Sequence, residues 1–203
     1  MSKNTKKLKV PIKMGYDHIQ GPVNAPINLV EYGDFECPYT GHAYPIVREI
    51  KREFGETLCF VFRNFPLNEI HPHAQQAAEA AEAAASQDKF WDMHDYLFEH
   101  QNALDDTHLR EYARTVGLDI KKFEEEILRH VYAPKIKDSL INGVKSGVEG
   151  TPTFFLNGIR YEGSWDLETM LKTLRSSIKK KIRIRVILAP LCIYIIVINY
   201  KIH

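Results

Sequence analysis

Apolar positions along this chain change period several times, and each change marks an element. Ile27 to Tyr32 is a β-rich run that ends in a turn before Pro38, after which Tyr44, Ile46, Val47, Ile50 and Phe54 recur at helical spacing until Gly55. Pro38 suits a first helical turn, because its missing N–H has no intrahelical acceptor to lose, whereas Pro45 inside the helix predicts a kink. Leu58 to Phe65 is apolar nearly throughout and rich in aromatics, the pattern of a strand buried on both faces of a sheet. The first third of the chain therefore reads strand, helix, strand.

A long helical stretch follows. Pro72 is read as opening a helix in which Ala74, Ala77, Ala78, Ala81, Ala84 and Ala85 form a small-residue face, with His71 before it as a cap. Helical patterns then cover Lys89 to His100, Asp106 to Val116, Asp119 to His130 with Asp119 as N-cap, and Ala133 to Lys145. Roughly 75 residues of helix are far more than a connection needs, so about 71–146 are read as an inserted helical subdomain. Thr153 to Leu156 and Ile159 to Tyr161 flank Asn157-Gly158, which predicts a β-hairpin with a type I′ turn, and Asp166 to Ile178 closes the pattern as a helix. The class is α/β, ordered βαβ, helical block, ββα.

Charge narrows the functional classes. The 203 residues carry a net charge of +1, but 12 of the 27 basic residues sit at the two ends, which leaves 15 bases against 26 acids between Met14 and Leu174, a net of −11. A body so acidic lacks the concentrated basic face that displaces counterions from phosphates, so nucleic acid is excluded as its partner. Three cysteines, Cys37, Cys59 and Cys192, cannot all pair and show no metal-finger spacing, which argues against both a disulfide scaffold and a zinc module.

The chain is thus divided into a basic N-terminal extension (1–16), one domain (17–178) and a basic, apolar tail (179–203). No apolar stretch of signal-peptide length follows the basic start, so a cytoplasmic location is expected. The tail holds the run Val186 to Ile198, too short at ~1.5 Å per residue to cross a ~30 Å hydrocarbon core as a helix. It reads as an interfacial anchor, a packed or partner-binding strand, or an extension foreign to the domain. Membrane association is expected through this tail alone.

Cys37-Pro38-Tyr39-Thr40 stands at the strand-to-helix junction. A helix N-terminus favours an anion, and because the thiolate is the nucleophile, a cysteine placed there can become reactive near neutral pH. The competing reading is a small buried residue at a helix start. Glu36 beside it opposes a thiolate, since a nearby negative charge disfavours a second one. Cys59, mid-strand, reads as an inert core thiol. His71, His73, His94, His100 and His108 invite a metal reading, but their spacing does not gather a ligand set, so no metal and no bound cofactor are expected.

These stretches carry a resemblance. Glu31-Tyr-Gly-Asp-Phe-Glu-Cys-Pro-Tyr, Arg63-Asn-Phe-Pro-Leu through His71-Pro-His-Ala, Phe90-Trp-Asp-Met-His and Gly150-Thr-Pro-Thr-Phe-Phe-Leu-Asn-Gly occur in the order found in the DsbA-like family of thioredoxin folds. The chain is especially similar to members that some bacteria carry fused behind sodium/proton antiporters. The resemblance implies that Thr151-Pro152 is a cis-proline loop facing the cysteine and pairing with a substrate backbone. It also implies thiol-disulfide exchange on protein thiols or disulfides, with glutathione or another small thiol as a further partner. This sequence departs from the family at Thr40, where a second cysteine is usual. An internal disulfide across the motif is therefore ruled out, and the expectation becomes monothiol exchange through Cys37, with Pro38, Tyr39 and Thr40 around it and the Thr40 hydroxyl donating to the sulfur. The alternative is a non-catalytic peptide-binding module that has lost redox turnover.

Overall fold

The computed structural model describes residues 6–179. Five strands, β1 (His18–Gln20), β2 (Ile27–Gly33), β3 (Leu58–Asn64), β4 (Thr153–Leu156) and β5 (Ile159–Arg160), form one sheet in the order β1-β3-β2-β4-β5. Only β2 and β3 run parallel. Between them runs α1 (Pro38–Phe54). Between β3 and β4 lie α2 (Ala74–Ala85), α3 (Phe90–Glu99), α4 (Asp106–Thr115), α5 (Ile120–Leu128) and α6 (Ala133–Ser146), and a last helix, α7, spans 167–179. This is a thioredoxin-like α/β fold with the helical block where the pattern of apolar positions put it.

Every residue of β3 is buried, as its unbroken apolar run requires. Its alternate residues serve two cores. Phe60 and Phe62, with Ile27 and Leu29 of β2, face α1 and the alanine-rich α2. Cys59 and Val61, with Val30, Tyr32 and Phe155, face the other way. A fully buried side chain of this size contributes about 1.5–3 kcal/mol relative to exposure. On the second face α6 comes so close that a Cβ on Gly143 would stand 2.6 Å from the Phe65 ring.

Three differences from the sequence reading have local causes. Strand β1 was not anticipated, because three residues with only Ile19 apolar carry no readable alternation; its pairing with Phe60 to Phe62 defines it. Residues 6–16, read as an extension, run along the sheet: Leu8 N–H donates to Gly158 O at 2.9 Å, Lys7 bridges Ile159, and Leu8 and Ile12 pack on the second core. Buried Arg63 holds this arm, donating to Val10 O, Pro11 O and the Asp17 carboxylate at 2.8 to 3.1 Å. Finally, α2 begins at Ala74 rather than Pro72, for a reason that lies in the site.

The Asn157-Gly158 turn has positive φ at both residues, 49° and 81°, as a type I′ turn demands. Asp119 accepts from Lys122 N as the N-cap of α5. Residue 180 onward, including Cys192 and nearly all of the tail, lies outside the described residues.

Candidate active site

The extended backbone of β2 ends at Gly33, and α1 starts after an interval of four residues. Asp34 shapes the turn between them. Its Oδ1 accepts from Glu36 N–H at 2.8 Å, its Oδ2 accepts from Leu67 N–H at 2.9 Å, and His71 Nδ1 lies 2.7 Å from the same Oδ2. Glu36 makes a second clamp, accepting from His73 N–H at 2.6 Å with His73 Nδ1 at 2.8 Å from Oε1. Here is the cause of the late start of α2. His71 and His73 are bound to the cysteine loop, so His71 does not cap the helix as expected, and regular helix begins one residue past the second clamp. Gln101 holds the loop from the opposite side, its Nε2 donating to Phe35 O at 2.7 Å and Cys37 O at 3.1 Å. That approach requires Gly41, where a Cβ would overlap the Gln101 side chain.

Cys37 is therefore delivered as the N-cap residue of α1, with Pro38 in the first turn. The first N–H groups of a helix have no intrahelical acceptor and point toward this position. Cys37 is 3% exposed, and its thiol donates to Thr151 O at 3.3 Å, across a gap of 114 residues in sequence. The Thr151–Pro152 peptide is cis. The structure thus brings together Cys37, Thr151 and Pro152. Pro38 and Tyr39 lie on the outer side, with Tyr39 65% exposed.

Thr40 departs from expectation. Its hydroxyl makes no hydrogen bond, although the side chain is fully buried. The third residue of the helix turns inward, and the Thr40 methyl packs near Gly33, 3.1 Å from where a Cβ on Gly33 would be. Thr151 likewise has a buried hydroxyl with no partner.

Glu31 was missed by the sequence reading. Strand alternation puts it on the same face of β2 as Gly33, under α1. Burial pushes its carboxyl up to about 8, with the Lys51 ammonium pulling the other way. An acid inside a largely apolar strand, Ile27 to Tyr32, was the available signal. His94 is also buried, its imidazole driven down to about 4 by desolvation, with Asp95 at 2.8 Å on Nδ1 and no partner on Nε2. Cys59, read as mid-strand, is the second residue of β3, and burial raises its thiol. Among the described residues no group of three or more ligand side chains is arranged to hold a metal.

A cysteine at a helix start, facing a cis-proline turn beside the central strand, defines the class: a thioredoxin-fold protein with a single-cysteine motif. A family profile described as Thioredoxin matches residues 13–176, and the chain belongs to that family. It is 45% identical over 170 residues to Na(+)/H(+) antiporter NhaA 1 of Salinispora arenicola and 40% identical over 172 residues to that of Mycolicibacterium vanbaalenii, in each case over 84% of this chain. The alignments span 26% and 28% of those proteins, so the chain matches about a quarter of its curated relatives' length. Among solved structures, α-DsbA1 of Wolbachia pipientis superimposes with a TM-score of 0.75 at 21% identity, over 86% of this chain and 96% of that one. BdbD of Bacillus subtilis superimposes with a TM-score of 0.73 at 22% identity, over 82% and 95%. These two likenesses concern the fold.

Proposed function

We propose that this domain is a thiol-disulfide oxidoreductase of DsbA-like type that works by monothiol exchange through Cys37. The observation that carries this reading is the 3.3 Å contact between Cys37 Sγ and Thr151 O, which places the sulfur at both the helix start and the cis-proline turn. In the forward step the Cys37 thiolate attacks one sulfur of a substrate disulfide. The substrate S–S bond breaks, a Cys37–substrate disulfide forms, and the other sulfur leaves as a thiolate that takes up a proton. An external thiol then attacks the mixed disulfide, forms a new disulfide with the substrate half, and returns Cys37 as thiolate. Protein thiols or disulfides are the substrate class, and glutathione serves as the small thiol. The Thr151 carbonyl, which holds the resting thiol proton, is the acceptor an extended substrate backbone would compete for.

Burial beneath α1 raises the Glu31 carboxyl to about 8, so it holds its proton near neutral pH, and the Lys51 ammonium, which favours the charged form, only partly offsets this. The competing reading is a peptide-binding module without turnover. One observation favours it: the sulfur is buried and the Thr40 hydroxyl does not reach it.

Trapping decides between them. Purified protein is incubated with glutathione disulfide and with an oxidised cell extract, and Cys37 adducts are identified by mass spectrometry. Mixed disulfides at Cys37 that disappear in Cys37→Ser, together with loss of deglutathionylation activity, support exchange. A Cys37 that alkylates no faster than a free cysteine and captures no partner leaves the binding module.

A further inference from the structure

We infer that the edge of the sheet built by the N-terminal arm and the end of α6 is a docking surface for an anionic phospholipid leaflet. This goes beyond the exchange reaction and does not depend on Cys37. Lys6, Lys7 and Lys9 of the arm and Lys145 of α6 line one shallow hollow of about 440 Å³, with Glu149 the acid among them. All four lysines are exposed, and only Lys6 is tied, by an ion pair of 2.6 Å to Glu149. The hollow exists because the arm pairs with β5: Arg160 N–H donates to Lys6 O at 2.9 Å, and the Lys6 stem lies against Gly147.

A second observation comes from apolar exposure. Ile141, Val144 and Ile159 are among the few large aliphatic side chains left in solvent, Val144 at 56%. All three border the lysines. Ile141 lies one helical turn before Lys145 and shares its face, Val144 is three residues on from Ile141, and Ile159 is the bridge partner of Lys7, so those two side chains stand on the same side of the pair. The rest of the body is acidic, and Glu162 is paired to Arg160 at 3.2 Å.

This combination fits lipid better than a folded partner. Lysine is a flexible point charge without the planar fork that reads carboxylates in a fixed geometry, and a leaflet of mobile headgroups needs no shape match. Isolated aliphatic side chains beside lysines suit the boundary between headgroups and acyl chains. The acidic remainder is repelled by the same leaflet, which orients the approach. Ile159 pairs with Leu156, at the end of β4 away from Thr151. Among the described residues no helix is long and apolar enough to cross a membrane.

The test measures partition of the full 203-residue chain onto vesicles of phosphatidylcholine with phosphatidylglycerol, and onto phosphatidylcholine alone. Each lysine near an anionic leaflet is worth roughly fivefold, so Lys7→Glu with Lys9→Glu and Lys145→Glu should lower binding to the anionic vesicles on the order of a hundredfold. The control carries the same charge change elsewhere: Arg114→Glu, Lys121→Glu and Lys172→Glu. It should fall far less. Ile141→Ser with Val144→Ser, which leaves the lysines intact, should lower binding by about tenfold, and reads the surface independently if the charge variant fails to fold. Equal losses in the patch and control variants overturn the proposal, because net charge or residues 180–203 then carry the contact. Failure of the wild-type chain to prefer anionic vesicles overturns it too. So does equally tight binding to soluble polyaspartate, which would mark the surface as a site for an acidic protein.

Discussion

Two glutamates in this molecule are equally buried, each 3% exposed, and their carboxyls are displaced in opposite directions. Glu31, under the cysteine helix, is raised to about 8 because burial is the larger influence and Lys51 only partly offsets it. Glu82, where α2 meets β1 and α6, is lowered although burial acts on it as well. The difference is partners. Glu82 accepts from Asn64 Nδ2 at 2.9 Å and Lys135 Nζ at 2.6 Å, and His18 Nε2 lies at 2.9 Å. Burial by itself neutralises a carboxylate, and a hydrogen-bonded cation restores its charge. At the junction with β1 the charge is part of the architecture. At the cysteine end the fold keeps an acid in its protonated form near neutral pH.

The largest effect expected from breaking this contrast is at Glu82. Glu82→Ala strands Lys135 and Asn64 and should destabilise the domain by about 3 kcal/mol in urea unfolding. An unchanged urea midpoint would mean that the cluster contributes nothing net.

Next comes Glu31→Gln. The folded state retains a proton that the unfolded chain loses above its ordinary carboxyl value of 4.5, so wild-type stability falls as pH rises from about 4.5 to about 8 and levels off beyond. The slope approaches tenfold in the folding equilibrium per pH unit. Unfolding series at pH 5, 6, 7 and 8 should show Glu31→Gln with a flatter profile and a growing advantage over wild type.

His94 has the opposite sign. Its imidazole, lowered to about 4 from 6.5, makes the protein lose stability as pH falls through that interval. His94→Phe should flatten the acid limb, as read from the urea midpoint between pH 6.5 and 4.

Thr40→Val should show the smallest change. Removing a buried hydroxyl without a partner should stabilise by about 1 kcal/mol, whereas a hydroxyl bound to the sulfur in solution would make the same change destabilising. Thr40→Cys at the same place should create a two-electron couple with Cys37, measurable against glutathione. Its absence in a folded variant would mean that the two side chains do not meet.

Much of the fold was legible because it rests on short-range pattern. The unbroken apolar run of β3, the helical spacing of α1, the Asp119 cap and the Asn157-Gly158 turn are each set by residues within a few positions of one another. The cysteine was legible from its place at a helix start, whereas the Thr151-Pro152 turn that faces it was found through motif resemblance, since nothing local links positions 114 residues apart. The clamps were not legible. Asp34, Glu36, His71, His73 and Gln101 are ordinary polar residues until α2 and the loop after α3 are folded against the turn, and only then do their hydrogen bonds have a common target. The arm at 6–16 was misjudged for a related reason: its lysines dominated its composition, whereas Leu8 and Ile12 have their core only once Arg63 has gathered the backbone around it.

By itself, then, the sequence determined an α/β chain with a helical block between its parallel strands and its hairpin, and one cysteine at a helix start without a second three residues on. Tertiary structure decided which acid keeps its proton, that the Thr40 hydroxyl makes no hydrogen bond to the sulfur, and that the basic arm at 6–16 lies against the sheet. The physical reason is range. Backbone period and turn chemistry act over a few residues, whereas desolvation and hydrogen-bond partnership depend on whatever distant segments the folded chain brings within about 3 Å.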